Sequence, residues 1–356
     1  MSSYNIIGLM SGTSLDGLDI TYATYHFSEE KKDTFQLLAF QTYPYPEDLQ
    51  LELAANELFT PVSVALLDKK IGEFYAECVL DFCKQNNIDI QKVDAIASHG
   101  QTIYHQPQNG FTLQIGCGET LAFRTGIKVI NDFRTKDVVA GGQGAPLVPK
   151  GDFGLFSDKA EAFLNIGGFC NASWKDGEQI IAFDICPGNL PLNKLAQNKG
   201  LTYDHDGQLA AAGAINFFLL DLLNSLEFYT QKGPKSLGTE WLETVFYPLV
   251  KFDREIENNL RTLCEHYAIQ IATVLNNANK KSVFVTGGGA KNTFLMDRIG
   301  HYFSGELIFP SEELIDSKEA LIFGYLGALY LNGNTNNVPS VTGASKAVRG
   351  GVLHLP

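Results

Sequence analysis

A chain of 356 residues exceeds one small module, and at roughly 100 to 200 residues per domain two cores are expected. Its 27 Lys plus Arg stand against 40 Asp plus Glu, a net charge of −13, which argues against a polyanion as main partner; no nucleic acid is expected, although a local nucleotide site is compatible. Hydrophobic residues at 45% with 19% charged and 34 glycines exclude disordered and collagen-like chains. No apolar run reaches about 18 residues, and the start, Met1 to Asn5, lacks the basic and apolar regions of a signal peptide, so a cytoplasmic location without a membrane span is expected. Cys78, Cys83, Cys117, Cys170, Cys186 and Cys264 show no C-x-x-C spacing, which fits reduced, mostly buried thiols rather than disulfides or zinc.

In chain order, the apolar run Tyr4 to Met10 leads through a glycine-bearing turn into the β-type residues Leu18 to Tyr25, a strand, tight turn and strand. Leu67, Ile71, Phe74, Cys78 and Phe82 then recur at helical spacing and Asn86-Asn87 ends the segment, which predicts an amphipathic helix from Pro61. Short apolar runs at Val93 to Ala97, Ile127 to Ile130, Phe163 to Ile166, Ile180 to Phe183 and Val283 to Thr286 predict buried strands. Helices are predicted at Gly188 to Asn198, Gln208 to Asn224, Arg254 to Asn279, Thr293 to Phe303 and Lys318 to Leu331, giving a mixed α/β architecture. In the second of these, Leu209, Ala212, Ile215, Phe218 and Leu222 take core spacing, so Phe217-Phe218 reads as packing. A strand ending in a glycine turn opens both the chain and its middle, suggesting two similar lobes with a boundary near residue 160.

Three glycine-rich turns each follow an apolar strand: residues 8–19, 166–171 and 286–292. Glycine lets backbone N–H groups approach an anion, and Ser or Thr hydroxyls add donors; one such turn can be merely a turn, but three together point to a bound nucleotide. Neither the P-loop nor the G-x-G-x-x-G dinucleotide pattern occurs. Phosphoryl transfer needs a base or water-orienting carboxylate and a divalent ion. Asp184, before Ile-Cys-Pro-Gly-Asn, is the best-placed base, with capping of the helix near Gly188 as the alternative. Asp16 and Asp19 either approach the metal or stabilise their turn. The polar series of His99, Gln101, Asn131, Asp132, Arg134, Asp137 and Gly141 to Pro146 suits a sugar, whose hydroxyls need both donors and acceptors. His99 lacks a paired nucleophile, which leaves it a structural residue or a substrate donor; Arg134 either meets an anionic substrate group or pairs with Asp132 or Asp137. Glu319 reaches a metal through water or is an exposed first-turn Glu.

The segments GLMSGTSLDGLD (8–19), SHGQT (98–102), FTLQIG (111–116), DFRTKDVVAGGQGAPLVP (132–149), NIGGFCN (165–171), PKSLGTEWL (234–242), VTGGGAKN (285–292), SKEA (317–320) and NVPSVTGA (337–344) resemble those of anhydro-N-acetylmuramic acid kinases, in order and over nearly the whole chain. The resemblance implies a two-lobed actin-like ATPase fold with duplicated ribonuclease-H-like domains and a central ATP cleft, with residues 1–160 plus 317–356 as one lobe and 161–316 as the other. It implies that ATP and Mg2+ are used, that 1,6-anhydro-N-acetylmuramic acid and water become N-acetylmuramic acid 6-phosphate in cell-wall recycling, and that the protein is a homodimer. ATP contacts would fall to Gly12, Thr13, Ser14, Leu15, Asp16, Gly17, Leu18 and Asp19, to Gly167, Gly168 and Asn171, and to Gly287, Gly288, Gly289 and Asn292. Asp184 would be the catalytic aspartate; His99, Gln101, Arg134 and Asp137 would bind the sugar, and Glu319 the Mg2+, directly or through water.

One departure matters: where the family commonly reads Thr-Gly-Pro-Gly-Asn after its aspartate, this chain has Ile185-Cys186-Pro187-Gly188-Asn189. The change removes a donor and adds two side chains near phosphates or sugar, unless they only pack. Two rival readings follow, a kinase of another 1,6-anhydrosugar such as levoglucosan, and a non-catalytic ATP-binding regulatory protein.

Overall fold

The computed structural model describes residues 2–12, 15, 17–28, 32–55, 59–231, 233, 235–252 and 254–356. They form two compact units, Met1–Phe156 with Ser317–Pro356, and Ser157–Asp316.

In the first unit, β1 (Ser2–Met10), β2 (Gly17–Phe27) and β3 (Thr34–Pro44) form an antiparallel meander, and β4 (Ala95–Ser98) and β7 (Val129–Asn131) extend it in parallel on the other side of β1. β13 (Val352–His354) closes the β7 edge, and β5 (Gln101–Gln106) with β6 (Phe111–Ile115) makes a separate hairpin. β1 is apolar on both faces because both are covered: Ile6, Ile7 and Leu9 have no exposed surface. On one face lies the helix Pro61–Gln85, started by a capping box in which Thr60 and Ser63 satisfy each other's backbone N–H groups. It buries Leu67, Ile71, Tyr75, Cys78 and Phe82. On the other face the helix Glu312–Leu331 comes so close that a Cβ at Gly8 would fall onto the Ala320 carbonyl oxygen.

The second unit repeats the pattern. β8 (Ala162–Ile166), β9 (Phe169–Asp176) and β10 (Gln179–Pro187) form the meander, and β11 (Ser282–Thr286) and β12 (Glu306–Ile308) follow in parallel beside β8. Counted from the first strand, both sheets run third, second, first, fourth, fifth with the same directions. This is the duplicated ribonuclease-H-like α/β arrangement expected. Leu164, Ile166, Cys170, Ala172, Val283 and Val285 face one core with the helix Ile256–Asn277.

Two helix expectations are corrected. Gln208 to Asn224 is two helices, Gln208–Ala212 and Phe217–Asn224. At Gly213 a Cβ would strike the Glu257 carbonyl, and Asn216 starts a new helix by accepting the Leu219 N–H at 3.1 Å. The restart rotates the apolar face: Leu219, Leu220 and Leu223 go inward, while Phe217 and Phe218 are 69% and 75% exposed, contrary to their reading as packing. The last long helix begins at Glu312, six residues before the predicted Lys318, which places Glu319 in its interior rather than in an exposed first turn.

Candidate active site

In open α/β sheets, ligands meet the chain outside the carboxyl ends of the parallel strands. Gly12, His99, Gln101, Arg134 and Asp137 follow β1, β4 and β7 in one unit, and Gly167, Gly168, Gly287 to Gly289 and Asn292 follow β8 and β11 in the other, while Asp19, Asn171 and Asp184 lie on the neighbouring antiparallel strands and Glu319 in a helix.

In the first unit, β1 hands over to Ser11 and Gly12, and Leu15 takes a left-handed φ of 58° before β2. Thr13, Ser14 and Asp16 lie outside the described residues. Gly17 is forced by contact, since a Cβ there would strike the Tyr43 carbonyl. Leu18 has no exposed surface and its side chain belongs to the core, because the strand's alternation turns it inward, so any nucleotide contact there falls to its main chain. Leu15 also packs its side chain against that core. Asp19 is half-buried on β2 and accepts from the Thr42 hydroxyl at 2.5 Å. Ser11, part of the first glycine-rich turn but not among the expected site residues, is buried and links Gln101 Oε1 to the Tyr45 and Tyr75 hydroxyls. Gln101 is thus held from inside the unit.

His99 follows β4, with Nε2 accepting from Arg134 Nε at 3.1 Å and Nη2 at 2.8 Å, so the neutral ring carries its proton on Nδ1. Burial, and then the Arg134 charge, lower its pKa to about 3. It acts as an acceptor for a guanidinium, and Nδ1, buried, meets no partner among the described residues. Arg134 also donates to the Gly144 carbonyl at 2.8 Å. Burial lowers its pKa to about 10, against the opposing influence of Glu319 and Asp137. Neither Asp132 nor Asp137 pairs with it: Asp132 accepts the Thr135 N–H at 3.2 Å. Asp137 is fully buried and accepts from Gly144 N, Asn337 Nδ2 and Thr342 Oγ1 at 2.7, 2.6 and 2.7 Å. Its carboxylate holds the 141–146 loop to the C-terminal segment and offers no exposed oxygen. Glu319 is half-buried, its carboxyl raised by burial, with Lys318 and Arg134 opposing. Next to it Lys318 makes a buried ion pair with Asp152 at 2.8 Å.

In the second unit a row of polar residues crosses the sheet on the face away from the core: Thr286 beside Asn165, Asn165 beside Asn171, and Asn171 beside Asp184. Asn165 was missed by sequence reasoning; a polar residue inside the apolar run AFLNI was the available signal. The Gly167-Gly168 turn joins β8 to β9, and its two carbonyls accept from Asn189 N at 2.8 Å and Gly188 N at 2.9 Å, which docks the end of β10 against it. Gly287 has φ 84°, and a Cβ there would lie 2.7 Å from Asn165 Oδ1. Gly289 is filled by the Ile166 side chain, whereas Gly288 has open space with Asn189 Nδ2 nearest at 3.7 Å. Asn292 caps the helix Thr293–Tyr302, its Oδ1 accepting the Leu295 N–H at 3.0 Å.

Asp184 lies within β10, which runs on to Pro187, and the helix after it is capped by Gly188 without any side chain. The alternative reading as a helix cap is therefore corrected. Its Oδ2 accepts the Leu237 N–H at 2.8 Å, and among the described residues Oδ1 has no partner. Burial raises its carboxyl, with the Leu237 hydrogen bond pulling the other way. A bulge between Asp184 and Cys186 shifts the register, so that Ile185 and Cys186, 1% and 0% exposed, both enter the core. They do not extend toward the polar row, which corrects the expectation of added side chains near phosphates or sugar.

The second unit offers a half-buried carboxylate, one of whose oxygens has no partner among the described residues, beside amide groups and glycine turns; the first, taken by itself, offers a guanidinium with no ion pair among the described residues, beside a neutral imidazole. The sequence model of the anhydro-N-acetylmuramic acid kinase family matches residues 4–355. The chain is 37% identical to the anhydro-N-acetylmuramic acid kinase of Haemophilus influenzae over 98% of its length and 97% of the relative's. It is 39% identical to that of Shewanella denitrificans, with 97% of each covered, and 34% to that of Vibrio cholerae, with 98% of each covered.

Proposed function

The chain belongs to the anhydro-N-acetylmuramic acid kinase family, and from that premise we propose how its residues carry out the reaction. The enzyme converts 1,6-anhydro-N-acetylmuramic acid, ATP and water into N-acetylmuramic acid 6-phosphate and ADP, in peptidoglycan recycling. Asp184 Oδ1 takes a proton from water as the water oxygen bonds to C1. The C1–O6 bond breaks with its electron pair going to O6, and O6 takes the γ-phosphoryl group as ADP leaves. The proton on Asp184 then returns to solvent. The observation that carries this assignment is the division of labour within one carboxylate, with Oδ2 fixed by Leu237 and Oδ1 open.

Phosphate contacts are assigned to the turn at residues 12–19 and to Gly167-Gly168, with Asn171 and Asn165 as nearby donors, and the adenosine to Gly287 to Gly289. The first unit would serve as one lobe and the second as the lobe carrying the adenosine turn. Arg134, half-buried without an ion pair among the described residues, fits the lactyl carboxylate of the muramic sugar, a group levoglucosan lacks. That favours the muramic sugar over the rival substrate. Mg2+ would offset phosphate charge when bound, and Glu319 fits it: a carboxylate whose protonation burial favours gains from a cation. No helix among the described residues is long and apolar enough to cross a membrane. A cytoplasmic location, where ATP is available, and a homodimer complete the proposal.

The test is ADP release with the muramic sugar, levoglucosan or glucose, beside Asp184→Asn. Turnover with the muramic sugar should fall by roughly 10²–10⁴ in the variant, the usual contribution of a positioned base. Equal turnover by Asp184→Asn would remove Asp184 from the role.

A further inference from the structure

β10 is an edge strand, and its outer side is covered by the backbone of residues 235–237. Asp184 N donates to the Lys235 carbonyl at 3.0 Å, and Leu237 N donates to Asp184 Oδ2 at 2.8 Å. One short segment thus holds both the main chain and the side chain of the same aspartate. The segment is itself anchored. Lys235 Nζ donates to the Phe228 carbonyl at 2.8 Å and sits 4.2 Å from the Phe228 ring centroid and 5.9 Å from that of Phe183. At Gly233 a Cβ would lie 2.5 Å from the Phe183 ring, so Gly233 rests closely against the residue preceding Asp184.

We propose that Lys235 to Leu237 is the positioning element of the reaction, a strap that fixes Oδ2 of Asp184 so that Oδ1 alone is presented to water, with Lys235 as its anchor. The inference rests on the reading of Asp184 as the base. Neither Lys235 nor Leu237 needs to touch substrate: Lys235 has its ammonium occupied by a carbonyl and a ring, and Leu237 acts through its main chain. A carboxylate free to rotate would share its lone pairs between water and solvent, and a reacting atom displaced by about 1 Å can cost 10²-fold in rate. The N–H of Leu237 also stabilises the charged carboxylate, opposing the burial that raises it.

The groups around Asp184 that could confuse a pH measurement are Cys186 on its own strand, Cys170 on β9, Tyr229 and Tyr267 on the core side, and Lys235 on the strap. Burial raises the Cys186, Tyr229 and Tyr267 groups well above their ordinary values, so they stay protonated through the acid limb. Lys235 is the one whose charge could matter, and the variants separate it.

The experiment compares Leu237→Pro, which deletes the N–H and keeps the lysine, with Leu237→Ala, which keeps both, measuring kcat, both KM values and the acid limb of kcat. Leu237→Pro should lose roughly tenfold or more in kcat with both KM values held within about twofold. Its acid limb should move to higher pH, because removing a donor from the charged form raises the pKa of the base. Leu237→Ala should match the parent. Lys235→Met should shift the same quantities in the same direction by less, and Lys235→Arg should restore them; this pair decides the matter if Leu237→Pro fails to fold. A folded Leu237→Pro with parental kcat and acid limb overturns the proposal, as does a Lys235→Met variant in which KM rises and kcat holds, which would make the lysine a ligand contact. Asp184→Asn distinguishes the two levels: an active Asp184→Asn defeats the base assignment itself, whereas an inactive one beside a parental Leu237→Pro defeats the strap alone.

Discussion

Lys318→Met isolates the buried ion pair next to Glu319. The ammonium and the Asp152 carboxylate are 2.8 Å apart with only 4% of each side chain exposed, so methionine fills the lysine's volume while stranding a negative charge out of water. Breaking a buried pair from one side costs about 3–5 kcal/mol, and for a unit of this size about 2–4 °C is lost per kcal/mol, so the melting transition of the first unit should fall by roughly 6–20 °C at pH 7. Burial already raises the Asp152 carboxyl despite the lysine, and without the lysine it rises further. A carboxyl raised in the folded state has its stabilising protonated form below the unfolded pKa and loses that stability as pH rises through the folded pKa. The defect should therefore be largest at neutral pH and shrink toward pH 4. Thermal and urea unfolding of the parent and Lys318→Met at pH 4, 5.5 and 7 measure this, and Lys318→Met/Asp152→Asn should recover most of the loss. A defect of equal size at every pH, or no recovery in the double variant, would refute the assignment to a stranded charge.

Arg134→Gln keeps a donor for His99 or Gly144 but drops the charge, and KM for the muramic sugar should rise roughly 10- to 100-fold, the loss of one charge-assisted contact. KM for ATP should stay constant; steady-state kinetics with each substrate varied decides it. Cys186→Gly should leave both KM values unchanged, since the side chain enters the core, and should cost about 1–3 kcal/mol in urea unfolding through the vacated volume and the glycine in a strand. Gly287→Ala should raise KM for ATP and destabilise the second unit by about 1–3 kcal/mol, because the new Cβ meets Asn165 Oδ1 at 2.7 Å in a left-handed backbone. Nucleotide titration by calorimetry and a urea melt check both effects.

Regular elements were readable where the apolar period is unambiguous. The helix from Pro61 to Gln85 and the strands ending in glycine turns match their patterns within a few residues. The stretch from Gln208 failed because it is apolar nearly throughout, so the period carries no phase until Asn216 resets it. The true start of the last helix was hidden because residues 312–316 are polar or only partly buried and lack the core spacing that begins at Ser317. At the site, glycine turns and Asp184 were visible as residue types. Their facing was not, because it depends on strand parity and on the bulge that sends Ile185 and Cys186 into the core. Nor could local reading find the partner of Asp184, a main-chain group 53 residues away.

The order in which a ribosome delivers these residues follows from how the units are cut from the chain. The second unit is one continuous stretch, so all of it emerges before the first can be finished. β1 leaves the tunnel before the second unit, yet the helix that packs on Gly8, and the Asn337 and Thr342 that complete the Asp137 cluster, emerge after it. Until the segment that follows the second unit has emerged, one face of a strand as apolar as Ile6 to Leu9 lacks its native cover, the condition in which nascent chains aggregate or engage chaperones. Loss of the segment that follows the second unit therefore damages the strands that precede it, far away in sequence.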